Sequence, residues 1–468
     1  MTVLGAVGVI VLVVVCVVVC VLGGRGPTHE PEMTVRPAVG MAVQSPTVAV
    51  NVRVDGEHRG KLPQAVGYRI RTSHWGSSTY AAAMPPADSL AQPSLAEIAR
   101  EWGRIGCLGF GGPPAHVALF RVLCVTQREW LTEEQFERAI AATNLLPGPA
   151  STQLAIYCAW RLRGPKGALI GGLGFILPGL VLILALSALF LSGSPPAWIR
   201  GAGMGAGAAV APVALRAGLG VAAPIWRRAA DERSRVLAYA LAGGIAAATT
   251  GPWLVLVLLA CGAIELAWRG LARESAGLHA WPVLAAVSDP GGTGALVWTA
   301  LKVGALAFGG GFVIVPLMQT DAVSTYHWMT QAQFLNAVAL GQVTPGPITQ
   351  TVAAVGYAAG GFPSALLAAF VAFVPSFSFI LFGAARFERL LVNERVIAFL
   401  AGAAPAAAGA IVGSAIPLAA ALSETWQYAV LAAAAVALLA LRRGVVVTLL
   451  AAGLAGAIAG LLGAPLPH

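Results

Sequence analysis

Gly341-Gln342-Val343-Thr344-Pro345-Gly346-Pro347-Ile348-Thr349-Gln350 decides how this chain is read, because it sets two prolines and a glycine in the middle of apolar sequence. The same tripeptide recurs at Pro147-Gly148-Pro149. Upstream of each copy stand a Trp-x-Thr (Trp130-Leu131-Thr132, Trp328-Met329-Thr330) and a Phe-Gly-Gly (Phe110-Gly111-Gly112, Phe308-Gly309-Gly310). All three pairs are offset by 198 residues (308 − 110, 328 − 130, 345 − 147). A constant offset marks a duplicated unit, and helix breakers duplicated inside apolar sequence point to a transporter.

Composition agrees. Of 468 residues, 57% are hydrophobic and 10% charged, against roughly 25% charged in a soluble domain. Apolar stretches near the roughly 20-residue spanning length recur from 104–126 and 138–160 through 236–268 to 444–462. Long continuous runs exclude a barrel. The expected fold is an all-α integral membrane protein, a polytopic helix bundle in the cell membrane, built from two homologous, inverted repeats with broken helices. The first repeat covers 94–268, a linker 269–293, and the second repeat 294–468. The net charge of +9 comes from arginines scattered through short loops, which is a positive-inside bias rather than a nucleic-acid footprint. The six cysteines show no Cys-x-x-Cys spacing, so neither a disulfide framework nor a metal site is indicated.

Residues 1–93 read as an apolar segment (3–22), expected as a signal anchor, followed by a Pro/Gly/Ser-rich cytoplasmic tail. The alternative is a true start at Met84, just before the repeat.

Helix starts are legible. Ser94-Leu95-Ala96-Glu97 has the form of a capping box, as do Thr132…Gln135 and Thr330…Gln333. The Trp before each Thr suits an interface anchor. From Thr132 to Asn144 a helix covers roughly 20 Å, which takes Pro-Gly-Pro deep into a layer of about 30 Å. A new helix starting after each break aims the free amides of Ala150, Ser151 and Thr152, and of Ile348, Thr349 and Gln350, inward with the positive end of its dipole. That suits an anion.

Asn144, Ser151, Thr152 and Gln153 cluster at the first break, and Gln342, Thr344, Thr349 and Gln350 at the second. They are candidate hydrogen-bond partners for a tetrahedral oxyanion; the competing reading is glue between helices. Arg104 and Lys302, again 198 apart, precede the two glycine breaks and are candidate cations, with snorkelling as the alternative. The candidate substrate-binding set is thus Arg104, Gly111, Gly112, Asn144, Pro147, Gly148, Ser151, Thr152, Lys302, Gly309, Gly310, Gln342, Thr344, Pro345, Gly346, Thr349 and Gln350. His116 is a candidate carrier of a coupling proton, although Ile314 occupies its counterpart and a lone histidine is more often structural. Asp321 and His327 read as solvated loop residues and Glu265 as interfacial. Basic residues at 161–166 and 227–235, against Arg386, Arg389, Arg395, Arg442 and Arg443 in the second half, favour inverted halves. Inversion needs an odd number of crossings between the repeats, so 236–268 is not read as two full spans.

These motifs resemble the chromate ion transporters, in the long-chain form with two domains. Phe110-Gly111-Gly112-Pro113, Leu146-Pro147-Gly148-Pro149 and Trp160-Arg161-Leu162-Arg163-Gly164 are similar to that family's first-half signature. Phe308-Gly309-Gly310-Gly311, Tyr326-His327-Trp328, Gly341 to Pro347 and Pro375-Ser376-Phe377 are similar to the second. The resemblance implies export of chromate coupled to the proton motive force, with sulfate as a structural analogue. It also matches Arg104 and Lys302 to the family's basic position. Similar members carry Glu or Asn where this chain has Ala150, which leaves another oxyanion open. The expected partners are chromate or a related oxyanion and the lipid bilayer, with protons and a homodimer as candidates; no cofactor, metal or nucleic acid is expected. An anion sensor or scaffold that binds without transport is the alternative. Catalysis is not expected, since no metal cluster, nucleophile elbow or paired carboxylates appear, and no P-loop points to ATP-driven transport.

Overall fold

In a computed structural model, the described residues are 92–191, 195–229, 232–249, 254–270, 292–307, 312–384, 387 and 393–466. The apolar segment and tail, most of the linker, Gly309 and Gly310, Arg386 and Arg389 lie outside them. The described residues are helical, with no strand among them.

The first repeat opens with α1 (Leu95–Leu108) and α2 (Pro113–Arg121), the latter continued by a π-helical turn to Gln127. Then come α3 (Glu133–Leu145), α4 (Ala150–Phe190), α5 (Ala197–Ala208), α6 (Val210–Arg228), α7 (Arg233–Thr249) and α8 (Leu254–Trp268). In the second repeat, α9 (Thr293–Leu306) is followed by α10 (Ile314–Gln319) with its own π-helical turn, Thr320–Thr325. Next are α11 (Gln331–Val343) and a 3-10 turn, Ile348–Gln350, leading into α12 (Thr351–Gly383). The chain ends with α13 (Glu394–Ala420), α14 (Thr425–Ala435) and α15 (Val445–Leu461). α1 and α9, and α3 and α11, keep the 198-residue offset at both ends (293 − 95, 306 − 108, 331 − 133, 343 − 145).

All three expected capping boxes form, each with both reciprocal hydrogen bonds. Among the described residues, four helical stretches are long and apolar enough to cross a membrane: Ala150–Phe190, Ala197–Arg228, Ile348–Gly383 and Glu394–Ala420. The stretches 104–126 and 138–160 are instead hairpins of two shorter helices. Trp102 and Phe120 pack across the α1–α2 pair. Phe136 and Ala139 of α3 share a buried cluster with Leu154, Ala155 and Cys158 of α4. α4 itself folds back at Arg163–Gly164, where the backbone leaves the helical region, so that Gly171 comes against Ala159. α12 does the same at Gly360–Gly361. Each repeat therefore carries a Pro-Gly-Pro break between two helices, then a fold-back turn and a full-length helix. α7 and α8 are 17 and 15 residues long, at the lower limit for a span.

Those full-length arms, equivalent across the repeats, run antiparallel. Ala168 shares a cluster with Ile380 and Ala384, Gly172 abuts Phe377, and Phe175 and Ile176 share a cluster with Phe373. Rising numbers on one arm meet falling numbers on the other. The crossing centres on Phe175 and Phe373, which are themselves 198 apart (373 − 175). Farther along, small residues at four-residue spacing lock one repeat to the other. Gly409 and Gly413 of α13 meet Ala240 and Gly244 of α7, while Gly201 and Gly205 of α5 meet Ala452 and Gly456 of α15. Close backbone approach of this kind drives helix association where the solvent is itself apolar.

Three sequence expectations change. Trp130 is no interface anchor: it is buried and stacked on Trp102. Asp321 is not solvated but buried, because Lys302 and the Thr299 hydroxyl hold its carboxylate. Glu265 is likewise buried, at the base of the α7–α8 hairpin, bonded by Tyr239 and Arg269.

Candidate functional site

The Pro-Gly-Pro tips are held by backbone that only glycine adopts readily: Gly148 has φ +122° and Gly346 φ +93°. Each tip docks on the opposite repeat. Gly148 lies against the Gly304 carbonyl of α9 and the Ser376 hydroxyl of α12. The Gly346 amide donates to the Gly109 carbonyl (3.0 Å), and the Pro345 carbonyl meets Gly179 of α4. Thus the second Pro-Gly-Pro lies beside the first glycine break, and Gly112 of that break faces Ile348. Two loci result, one on either side of the Phe175–Phe373 crossing.

Burial is nearly complete at the second locus. Every residue from Thr344 to Gln350 is buried. At the first, Gly148, Ser151, Thr152 and Gln153 are buried while Asn144 is exposed. Of the amides expected to be free, Thr152 N bonds Pro149 O and Gln350 N bonds Pro347 O, both at 3.0 Å. Those of Ala150, Ser151, Ile348 and Thr349 stand at the true helix starts, where the first turn leaves N–H groups without an intrahelical acceptor.

The polar side chains are half-satisfied. Gln153 Nε2 donates to Pro147 O (2.7 Å) and Gln350 Nε2 to Ile176 O (2.8 Å), while Thr344 bonds back to Leu340 O. Among the described residues, Thr152 Oγ1, Gln153 Oε1 and Ser376 Oγ at the first locus have no hydrogen-bond partner. Gln342 Nε2, Thr349 Oγ1 and Gln350 Oε1 at the second are in the same state. An unmade hydrogen bond on a buried polar group is worth about 1–3 kcal/mol, so each locus holds buried polar groups able to meet a polar ligand; of these, Thr152 and Gln350 stand at equivalent positions (350 − 152). Four are donors or can be: three hydroxyls and one amide nitrogen. Neither 142–160 nor 331–383 contains an Asp or Glu, which suits an anion and disfavours a cation.

The two candidate cations are placed differently. Lys302 Nζ is 2.5 Å from Asp321 Oδ2 and 5.7 Å from the Trp298 ring centre. Arg104 lies on the exposed face of α1, where its equivalent acid position is Leu123 (321 − 198). Gly111 is exposed as well. Sequence reasoning missed Ser376 as a polar group at the first break and Asp321 as the partner of Lys302. Ser376 was visible only as part of Pro375-Ser376-Phe377, and nothing local says that it meets a glycine 228 residues away (376 − 148). No group of three or more metal-ligating side chains occurs among the described residues.

Comparison with known proteins follows the same two halves. The family model described as "Chromate transporter" matches residues 96–266 and again 294–459. The chain is 30% identical to a chromate transport protein of Cupriavidus metallidurans, over 80% of this chain and 94% of that protein. It is 33% identical to one from Pseudomonas aeruginosa (75% and 89%), and 29% identical to a probable chromate transport protein of Synechococcus elongatus (69% and 84%). No solved structure matches. With helix breaks duplicated at a constant offset and a family match across both repeats, the chain belongs to the chromate transporter family.

Proposed function

We propose that this multi-pass membrane transporter moves chromate, or a related tetrahedral oxyanion, by secondary active transport driven by the proton motive force. The observation that carries the reading is the pair of buried, unpartnered donor sets at the two Pro-Gly-Pro tips. A tetrahedral dianion offers oxygens in every direction, and hydroxyls with helix-start amides supply donors without a fixed counter-charge. The repeats are inverted across the membrane. Supporting this, the equivalent full-length arms cross antiparallel at Phe175 and Phe373, a geometry in which rocking one repeat exchanges the environments of the two tips. In support of the domain limits 94–268 and 294–468, the family model matches 96–266 and 294–459.

Lys302 enters this scheme as a cation held in reserve by Asp321, and Arg104 as its exposed counterpart on α1. The test is flux of chromate and of sulfate in proteoliposomes, with and without an imposed pH gradient and membrane potential. Saturable uptake that follows either gradient is expected. Binding without flux would make the chain an anion sensor instead.

A further inference from the structure

His116 stands where the two repeats' breaks meet. Its Nε2 lies 2.9 Å from the Gly109 carbonyl, the same oxygen that accepts the Gly346 amide. A carbonyl can only accept, so Nε2 carries the hydrogen and the neutral ring presents Nδ1 as a bare lone pair. That Nδ1 is buried and without a partner, and the residue is 0% exposed. The ring edge packs on Phe175, 5.0 Å between centres and 85° between planes, at the centre of the antiparallel crossing.

The elements around His116 bring it no balancing charge. On α2 itself the nearest charge is Arg121, bound by Glu133 and Glu137. On α1, Glu101 is held by Arg128, and Arg104 is exposed. The bases of α4, Arg161, Arg163 and Lys166, gather at its fold-back turn. From 331 to 383 the second repeat has no Asp, Glu, Lys, Arg or His, Tyr357 being its one titratable side chain. The other buried acids of the described residues are already paired, Asp321 with Lys302 and Glu265 with Arg269. Among the described residues at the tips, His116 is the ionisable group without a charged partner.

We propose that His116 carries a proton that travels with the oxyanion. This rests on the oxyanion-transport reading and names the group that links the anion to pH. Nδ1 takes a proton from the water that reaches the opened tips; the ring becomes an imidazolium while Nε2–H stays on Gly109. The new Nδ1–H is then a donor and a positive charge beside the Gly346 tip. Anion and proton stabilise one another there, each raising the other's affinity by the same factor, and both leave when the tips open to the other side. With one proton aboard a dianion, the carried unit has net charge −1: the inside-negative potential drives it outward while an outside-acid pH gradient opposes it, so the potential is the component of the proton motive force that powers export in this scheme.

The test uses full-length protein in lipid nanodiscs and sulfate, whose charge does not change in this pH range. Wild type is expected to bind sulfate about tenfold more tightly at about pH 5.5 than at about pH 8. His116→Gln, whose amide nitrogen keeps a donor for Gly109, should bind with one affinity at both. A second readout needs no variant: adding sulfate to wild type in weak buffer near neutral pH should draw protons from solution, followed by a pH dye. Sulfate binding without proton uptake, or a His116→Gln protein that keeps the pH dependence, overturns the inference and leaves the transport reading standing. Wild type that binds neither sulfate nor chromate at either pH removes both.

Discussion

Gly179→Ala is the substitution whose effect follows most directly from the geometry. A Cβ at this position would stand 2.0 Å from the Pro345 carbonyl oxygen and 2.5 Å from Gln350 Oε1, where a relaxed contact needs about 3.5 Å. The nearer obstacle is main chain, so α4 and the second tip must separate by roughly 1.5 Å. Overpacking of this kind costs about 1–3 kcal/mol. Separation also stretches the Gln350–Ile176 hydrogen bond, now 2.8 Å, worth about 1 kcal/mol. The total is about 2–4 kcal/mol, concentrated at the tip that carries Thr349. Gly220→Ala is the control, because nothing lies within 4 Å of its added Cβ, and alanine is favoured over glycine by about 1 kcal/mol inside a helix. Melting in detergent and chromate flux in liposomes are the two assays. Gly179→Ala should melt lower and transport little; Gly220→Ala should keep its flux and melt no lower than wild type. A Gly179→Ala protein with wild-type melting and flux would refute the docking of the second tip on α4.

The Lys302–Asp321 pair should show coupling. Lys302→Ala alone leaves a buried carboxylate and should destabilise by about 3–5 kcal/mol, whereas Lys302→Ala with Asp321→Asn should recover most of the loss in a melting experiment. Gly409→Ala puts a Cβ 1.8 Å from the Ala240 carbonyl, so it should pry α13 from α7 and lower the melting temperature. Inversion has a labelling test: in a background without native cysteines, Lys166→Cys and Phe362→Cys, both at exposed positions of the two fold-back turns, should react with an impermeant thiol reagent from opposite sides of the membrane.

Local chemistry explains which features were legible in advance. The capping boxes at Ser94, Thr132 and Thr330 depend on residues three apart, and all form. The Pro-Gly-Pro breaks were equally readable, because proline and glycine act on their own turn of helix. The fold-back turns were not legible as such, because neither 161–166 in α4 nor 359–364 in α12 announces that its helix will fold back on itself. What joins the breaks was not legible. Gly109 and Gly346 meet because equivalent arms cross antiparallel, and that pairing is fixed by Gly172, Phe175 and Phe377 packing at long range. Asp321 was misread for a related reason: in sequence it follows a break and precedes Ser-Thr-Tyr-His, like a loop residue, yet a π-helical turn carries it round to Lys302.

The most direct test of the central claim is the concentration dependence of chromate flux in proteoliposomes for wild type, Thr152→Val, Thr349→Val and the double variant. Valine keeps the shape of threonine and removes the unpartnered hydroxyl. Wild type should transport saturably, each single variant should raise the half-saturating concentration by about tenfold, in line with a hydrogen bond to a charged group at about 1.5–3 kcal/mol, and the double variant should lose more than either. Equal half-saturation in all four proteins would mean that the oxyanion does not meet the paired breaks.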